Sequence, residues 1–112
     1  MNSVLAHQGT TYYFRHRSCE LEGRPVSEGM LVMAGSSARE DPRPGAPDSI
    51  TYRRNQLLAT GIARIEVARF VLYQDHVFAT PSQAVDLMNG GHVRDPLKLW
   101  RDATGRSLQE LQ

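Results

Sequence analysis

Residues 39–48 of this chain, Arg-Glu-Asp-Pro-Arg-Pro-Gly-Ala-Pro-Asp, can form neither a helix nor a central strand. Pro42, Pro44 and Pro47 remove backbone donors and fix φ, and Gly45 adds freedom between them. The secondary structure must therefore be assembled from pieces on either side of a loop. A chain of 112 residues fits one domain, burying roughly two-thirds of its unfolded surface. We read residues 1–112 as a single domain. It has N-terminal strands over 10–38, the Pro-rich loop over 39–48, and a helix-hairpin-helix-strand core over 49–111. A loop of this length could serve as a mobile connection between the halves or simply join them.

Thr10 to Phe14 is β-branched and aromatic and predicts a strand. Glu22, Gly23, Arg24 and Pro25 predict a turn. Gly29 to Ala34 is a short apolar run suited to a buried strand that Gly35, Ser36 and Ser37 would end. Asp48 or Ser49 can cap a helix running to about Thr60, with Gly61 as the residue just past its end. Ile50, Leu57 and Leu58 give that helix an apolar face, and the 100° spacing places Arg54 on it, with Arg53 toward its edge. Arg64 to Thr80 predicts a hairpin turning at Gln74 and Asp75. Thr80, Pro81, Ser82 and Gln83 are the strongest local signal, a capping box with proline at the first helical position. The helix they open should end at Asn89, Gly90 and Gly91. Leu97 to Trp100 predicts a strand, Asp102 to Gly105 a turn with Gly105 left-handed, and Arg106 to Leu111 a returning strand or short closing helix. The fold class expected is α+β, a small antiparallel sheet with two short helices packed on it.

Apolar residues make up 40% of the chain, which excludes wholesale disorder. The formal net charge of +1 gives no global attraction to nucleic acid. Twelve of the thirteen basic residues are arginine. Arginine suits bidentate phosphate contacts, but these are scattered along the chain, as codon bias alone would leave them. Cys19 is the sole cysteine, which excludes an intrachain disulfide and points to a reducing, cytoplasmic setting. Met1 to Gly9 lacks a signal pattern, and no apolar run approaches the ~20 residues of a membrane span.

Four motifs occur in order: Val32-x-x-Gly35-Ser36-x-Ala38; Arg54-x-x-Leu57-x-x-x-Gly61; Phe70-x-Leu72-x-x-Asp75-x-x-Phe78-Ala79-Thr80-Pro81-Ser82-Gln83-Ala84; and Trp100-x-Asp102-x-x-Gly105-x-Ser107-Leu108. Together they resemble the domain of unknown function 4357 family, over about Tyr13 to Leu111. That family is found at the C-terminal end of GIY-YIG endonuclease-like proteins and restriction-type DNA methylases. It is similar to the domain called restriction enzyme adenine methylase associated. The resemblance implies a non-catalytic accessory module in a restriction or defence context, with DNA binding proposed for such domains. The 112 residues hold no nuclease or methylase domain, so an enzyme of that kind would be a separately encoded partner. His92-Val93-Arg94-Asp95-Pro96 departs from the pattern, which has an Asn-Gly-like turn there.

No catalytic constellation stands out, and no cofactor or metal is implied. His7, His16, His76 and His92 lack ligand spacing. Cys19 near His16 reads better as a buried thiol than as a nucleophile pair, and Ser36 and Ser37 lack a nucleophile elbow. An arginine on an apolar face must be paired when buried. Arg54 is expected to meet a carboxylate such as Asp75 or Asp102, or backbone carbonyls, ahead of a bound phosphate. Trp100, Phe78, Phe70 and Leu72 are expected in the core. Strand alternation puts Tyr13, Arg15 and Arg17 on one face and Tyr12, Phe14 and His16 on the other. Candidate nucleic-acid contacts are therefore Tyr13, Arg15, Arg17, Arg39, Arg43 and Arg53. The second option is a protein-interaction or dimerisation module without nucleic-acid binding.

Overall fold

The computed structural model describes residues 9–111; His7 lies outside them. Burial alternates along the first strand, β1 (Tyr12–His16): Tyr12 and Phe14 are buried and Arg15 is exposed. That alternation gives the sheet an inner and an outer face. The remaining elements are β2 (Cys19–Val26), β3 (Gly29–Val32), β4 (Ser37–Arg39), α1 (Asp48–Ala59), β5 (Ala63–Glu66), β6 (Arg69–Leu72), β7 (His76–Phe78), α2 (Pro81–Asn89), α3 (Pro96–Leu99), β8 (Trp100–Asp102) and a 3-10 helix (Leu108–Leu111). The architecture is α+β, an antiparallel sheet with short helices. The strands run β5-β6-β4-β2-β1-β8, with β3 beside β2 and β7 beside β3.

β3 and β4 pair with β7 and β6 in one continuous register. Arg39 faces Arg69 at one end and Met30 faces Phe78 at the other. Gln74 and Asp75 therefore do not reverse the chain, contrary to the hairpin expected there. They carry it on in the same direction through a gap in the ladder, where the Asp75 carboxylate accepts the Ala34 amide at 2.8 Å. The true hairpin is β5–β6, turning at Val67 and Ala68, both with positive φ (50° and 60°). Neither residue type announces such a turn, which normally favours Asn-Gly. β4 lies where the Pro-rich loop was expected to begin.

The turn expected at Glu22 to Pro25 is absent, and β2 runs straight through it. A Cβ on Gly23 would lie 2.7 Å from the Leu31 carbonyl, so the glycine serves close strand approach. Pro25 is tolerated because past Gly23 only β3 flanks β2. The chain reverses instead at Arg17–Ser18 and Ser27–Glu28. Leu97–Trp100 is not a strand throughout. Pro96 starts a single helical turn, and β8 begins at Trp100. The tail after Gly105 makes a bridge at Ser107 and then closes in the 3-10 helix.

α2 is the central helix. Its Ala84, Val85 and Met88 are fully buried. Thr80 caps it, the hydroxyl accepting the Gln83 amide at 3.0 Å, and left-handed Gly90 (φ 74°) ends it. α1 is only weakly amphipathic, and Arg54 and Leu57 are its buried residues. Neither Asp48 nor Ser49 caps it. It starts one residue early, with Pro47 in the cap position, and Asp48 sits inside the first turn where its charge suits the helix dipole. Gly61 follows the helix with φ 77°, as expected. The Pro-rich loop is tied down rather than free: the Arg43 amide donates to the Gly90 carbonyl at 2.8 Å, and a Cβ on Gly90 would lie 2.7 Å from Pro42 Cα. The core joins Tyr12, Phe14, Phe70, Phe78, Leu72 and Trp100 with α2.

Candidate functional site

Arg54 is 3% exposed and reaches from α1 across the inner face. Its Nε donates to the Leu87 carbonyl (3.1 Å), NH1 to Glu40 (2.8 Å), and NH2 to Arg39 (2.7 Å) and Met88 (3.2 Å). Its guanidinium lies 4.2 Å from the Phe70 ring centroid. Of the partners expected, backbone carbonyls are the ones found. Asp75 serves Ala34, and Asp102 accepts from Thr104 and Arg106 within its own turn. Burial lowers the Arg54 pKa to about 10, which leaves the group charged at neutral pH. One side chain thus binds α1 to the end of β4 and to the last turn of α2.

The outer face is a different surface, since the helices pack on the inner side. Directly opposed residues share a face, so the register assigns it in rows. One row runs Arg101, Tyr13, Glu22. The next runs Arg15, Glu20, Ser37, Val71, Arg64. A third runs Arg39, Arg69, Glu66. These three rows hold five arginines and three glutamates, and Arg24, opposite Leu31, adds a sixth arginine to the face. Arg15 lies 5.3 Å from the Tyr13 ring centroid and Arg64 lies 4.5 Å from that of Tyr73. Two shallow grooves flank Tyr13 and Arg15. One, of about 360 Å³, runs past Glu20, Glu22 and Gly35. The other, of about 490 Å³, runs past Leu99, Arg101 and Gly105.

The candidate residues fall into three places. Tyr13 and Arg15 stand on the outer face as alternation requires. Arg17, Arg39 and Arg43 gather near one end of the sheet: Arg17 in the β1–β2 turn, Arg39 at the end of β4, and Arg43 in the loop with its Nε on Asn89 Oδ1 at 3.0 Å. Arg53 is not brought to either place. It lines a groove of about 510 Å³ between α1, α2 and β7, with Gln56, His76, Phe78 and Gln83. Arg64, Arg69 and Arg101 escape the sequence reading. Arg101 was reachable from the Trp100–Gly105 motif by alternation from buried Trp100. Arg64 and Arg69 were hidden by the unannounced turn at Val67–Ala68.

Cys19 is buried, and its thiol is pushed up to about 12 by desolvation, which outweighs the nearby Arg69, Arg54 and Arg43. It faces His16 across the hairpin but is held as the thiol. Ser36 Oγ is occupied by the Glu22 amide (3.0 Å) and Ser37 Oγ by Arg69 NH2 (2.8 Å). Burial lowers the His76 pKa, and His76 stacks edge-on with Phe78 at 4.9 Å. Exposed His92 Nδ1 lies 3.7 Å from Asp86 Oδ2, the sole contact of a basic with an acidic side chain within 4 Å among the described residues. No three His, Cys, Asp or Glu side chains among them are grouped to hold a metal. No helix of the described residues is long and apolar enough to cross a membrane.

The four motifs are now explained by their positions. Gly61 and Gly105 (φ 91°) take left-handed turns, Thr80 caps, and Pro81 opens α2 while its carbonyl accepts the Trp100 indole at 3.3 Å. A family model described as "Domain of unknown function (DUF4357)" matches residues 11–112. The chain belongs to this family. No curated protein and no solved structure matches the chain. The family motifs mark cap, turn and core positions, whereas Tyr13, Arg15 and Arg101 lie on the surface.

Proposed function

We propose that this chain is a non-catalytic accessory module that binds nucleic acid, DNA in the first instance, on the uncovered face of its sheet. The observation that carries the reading is the concentration of arginines around Tyr13 on the sheet face that no helix occupies. Arginine supplies forked donors for phosphate oxygens, and a tyrosine between two grooves offers a ring for a base. The interleaved Glu20, Glu22 and Glu66 limit attraction to phosphate wherever a strand does not sit in register with the arginines. A restriction or defence setting, with a nuclease or methylase as partner, is the context the family resemblance suggests for such a module.

The test is fluorescence anisotropy with labelled duplex and single-stranded DNA. About three phosphate contacts would weaken binding roughly 40-fold between about 50 and 200 mM salt. Arg15→Ala should flatten the salt slope, and Tyr13→Ala should weaken single-stranded DNA by roughly tenfold or more. No binding at the lower salt, or binding indifferent to both changes, overturns the reading. Turnover of DNA by the purified chain would overturn the non-catalytic part.

A second reading, a protein-interaction or dimerisation surface, is favoured by the groove between α1, α2 and β7, which is lined by Leu57, Ile62, Phe78 and Leu87. It expects association that salt leaves unchanged and Gln56→Lys, in the groove, abolishes, read by sedimentation.

A further inference from the structure

Arg39 and Arg69 stand directly opposite one another on β4 and β6, both on the outer face. Cβ atoms of such a pair lie about 4.5–5.5 Å apart, where like charges repel. Arg69 turns one nitrogen to the neutral hydroxyl of Ser37 (2.8 Å). Arg43 uses its Nε on Asn89. Arg17 occupies the adjoining turn with a left-handed backbone (φ 55°), a conformation that glycine or asparagine would adopt at less cost. The four residues come from three separate segments: Arg17 and Arg39 act electrostatically on Arg43, and Arg69 stands opposite Arg39. Burial is the main cause that lowers the Arg43 pKa, and the charges of Arg17 and Arg39 lower it further. Glu20, Glu40, Asp41 and Glu66 are nearby in the chain or across the ladder. None comes within 4 Å of an arginine nitrogen among the described residues. Only Glu66, flanking Arg69 on β5, is opposite one of the four.

We propose that Arg17, Arg39, Arg43 and Arg69 form a binding corner for a phosphate monoester. Four neighbouring arginines with no carboxylate within 4 Å call for a multiply charged anion. A phosphate monoester carries about −1.5 to −2 at neutral pH, against −1 for each diester along a strand. Each guanidinium can present two parallel donors to its oxygens. The anion would replace arginine–arginine repulsion with charge-assisted hydrogen bonds. The phosphorylated end of a nucleic-acid strand is the source consistent with the proposed function. That choice of source rests on the nucleic-acid reading, whereas the chemistry of the corner does not.

The experiment pairs two measurements on the full chain. Anisotropy compares one oligonucleotide carrying a 5′-phosphate with the same oligonucleotide carrying a 5′-hydroxyl. Thermal unfolding compares sodium phosphate with sodium chloride at equal ionic strength. The expected result is at least about tenfold tighter binding of the phosphorylated end and a phosphate-specific rise in Tm. Both effects should be lost in the doubly substituted R39Q/R69Q chain, whose Tm in chloride stays at or above that of the wild type. That last value shows that the variant folds. A phosphate-specific Tm rise without a preference between ends supports the corner and assigns it to a free or small-molecule phosphate. Failure of both oligonucleotides to bind, with the Tm rise intact, sinks the nucleic-acid reading and leaves the corner standing. Equal binding of both ends together with equal Tm in phosphate and chloride overturns the corner.

Discussion

Arg54 and the Arg39–Arg69 pair put the same side chain to opposite uses on two sides of one sheet. Arg54 is buried, donates to four carbonyls and lies over Phe70. Arg39 and Arg69 face each other on the outer side with no carboxylate within salt-bridge distance. The two are linked, because one of the carbonyls that holds Arg54 belongs to Arg39 itself. Burial therefore does not decide which arginine is structural; the count of satisfied donors does. A guanidinium taken from water is tolerable when nearly every donor finds an acceptor, and carbonyl oxygens at the end of a strand and of a helix are acceptors the fold has in excess. A half-buried guanidinium with no carboxylate partner, even one bonded to a neutral hydroxyl as Arg69 is to Ser37, contributes little to stability.

The largest test of this contrast is Arg54→Met. It keeps apolar bulk over Phe70 while leaving the carbonyls of Glu40, Arg39, Leu87 and Met88 short of donors. A loss of about 3 kcal/mol or more is expected in urea unfolding. Arg54→Lys should fail to restore it, because one ammonium cannot span three segments or lie flat on the ring. A loss below about 1 kcal/mol would show that the carbonyls find water or one another, and the contrast would collapse.

Arg43 is the intermediate case. Its stem packs beside Gly91 and its Nε is bonded to Asn89, while its charge is coupled to those of Arg17 and Arg39. Arg43→Ala should cost about 1 kcal/mol, the size of one partly buried hydrogen bond. Arg43→Gln should recover part of the packing and none of any phosphate affinity. A cost as large as that of Arg54→Met would move Arg43 wholly into the structural class.

Much of this was legible in the sequence because it is local. The Thr80–Gln83 cap, the left-handed Gly61 and Gly105, the alternation along β1 and the burial of Trp100 depend on neighbours a few residues away. The position of Arg54 on an apolar stripe was legible too, and with it the need for internal partners. What was hidden is non-local. Nothing in Val67-Ala68 marks a reversal, so β5 and β6 went unpaired. Gln74-Asp75 resembles a turn, yet Asp75 serves as an acceptor for Ala34 across the ladder. Gly23-Arg24-Pro25 resembles a turn for composition alone, whereas its glycine admits the Leu31 carbonyl. The missing half of the arginine corner follows directly: Arg39 could be suspected, but its partner Arg69 could not until the register was known.

The smallest predicted effect is the most discriminating. If Arg39 and Arg69 are unpaired like charges, then Arg39→Gln should stabilise the protein without ligand by a few tenths of a kcal/mol at low salt. The gain should vanish at about 1 M salt, where the screening length falls to about 3 Å. The backbone carbonyl of residue 39 remains, so the hold on Arg54 is untouched and no large term masks the small one. A gain that persists at high salt would mean that the substitution acts through packing or the unfolded chain. A loss of stability at low salt would mean that Glu66 or Asp41 attracts Arg39 more strongly than Arg69 repels it. The outer arginines would then be stabilising after all, and the difference between the two sides of the sheet would be one of degree.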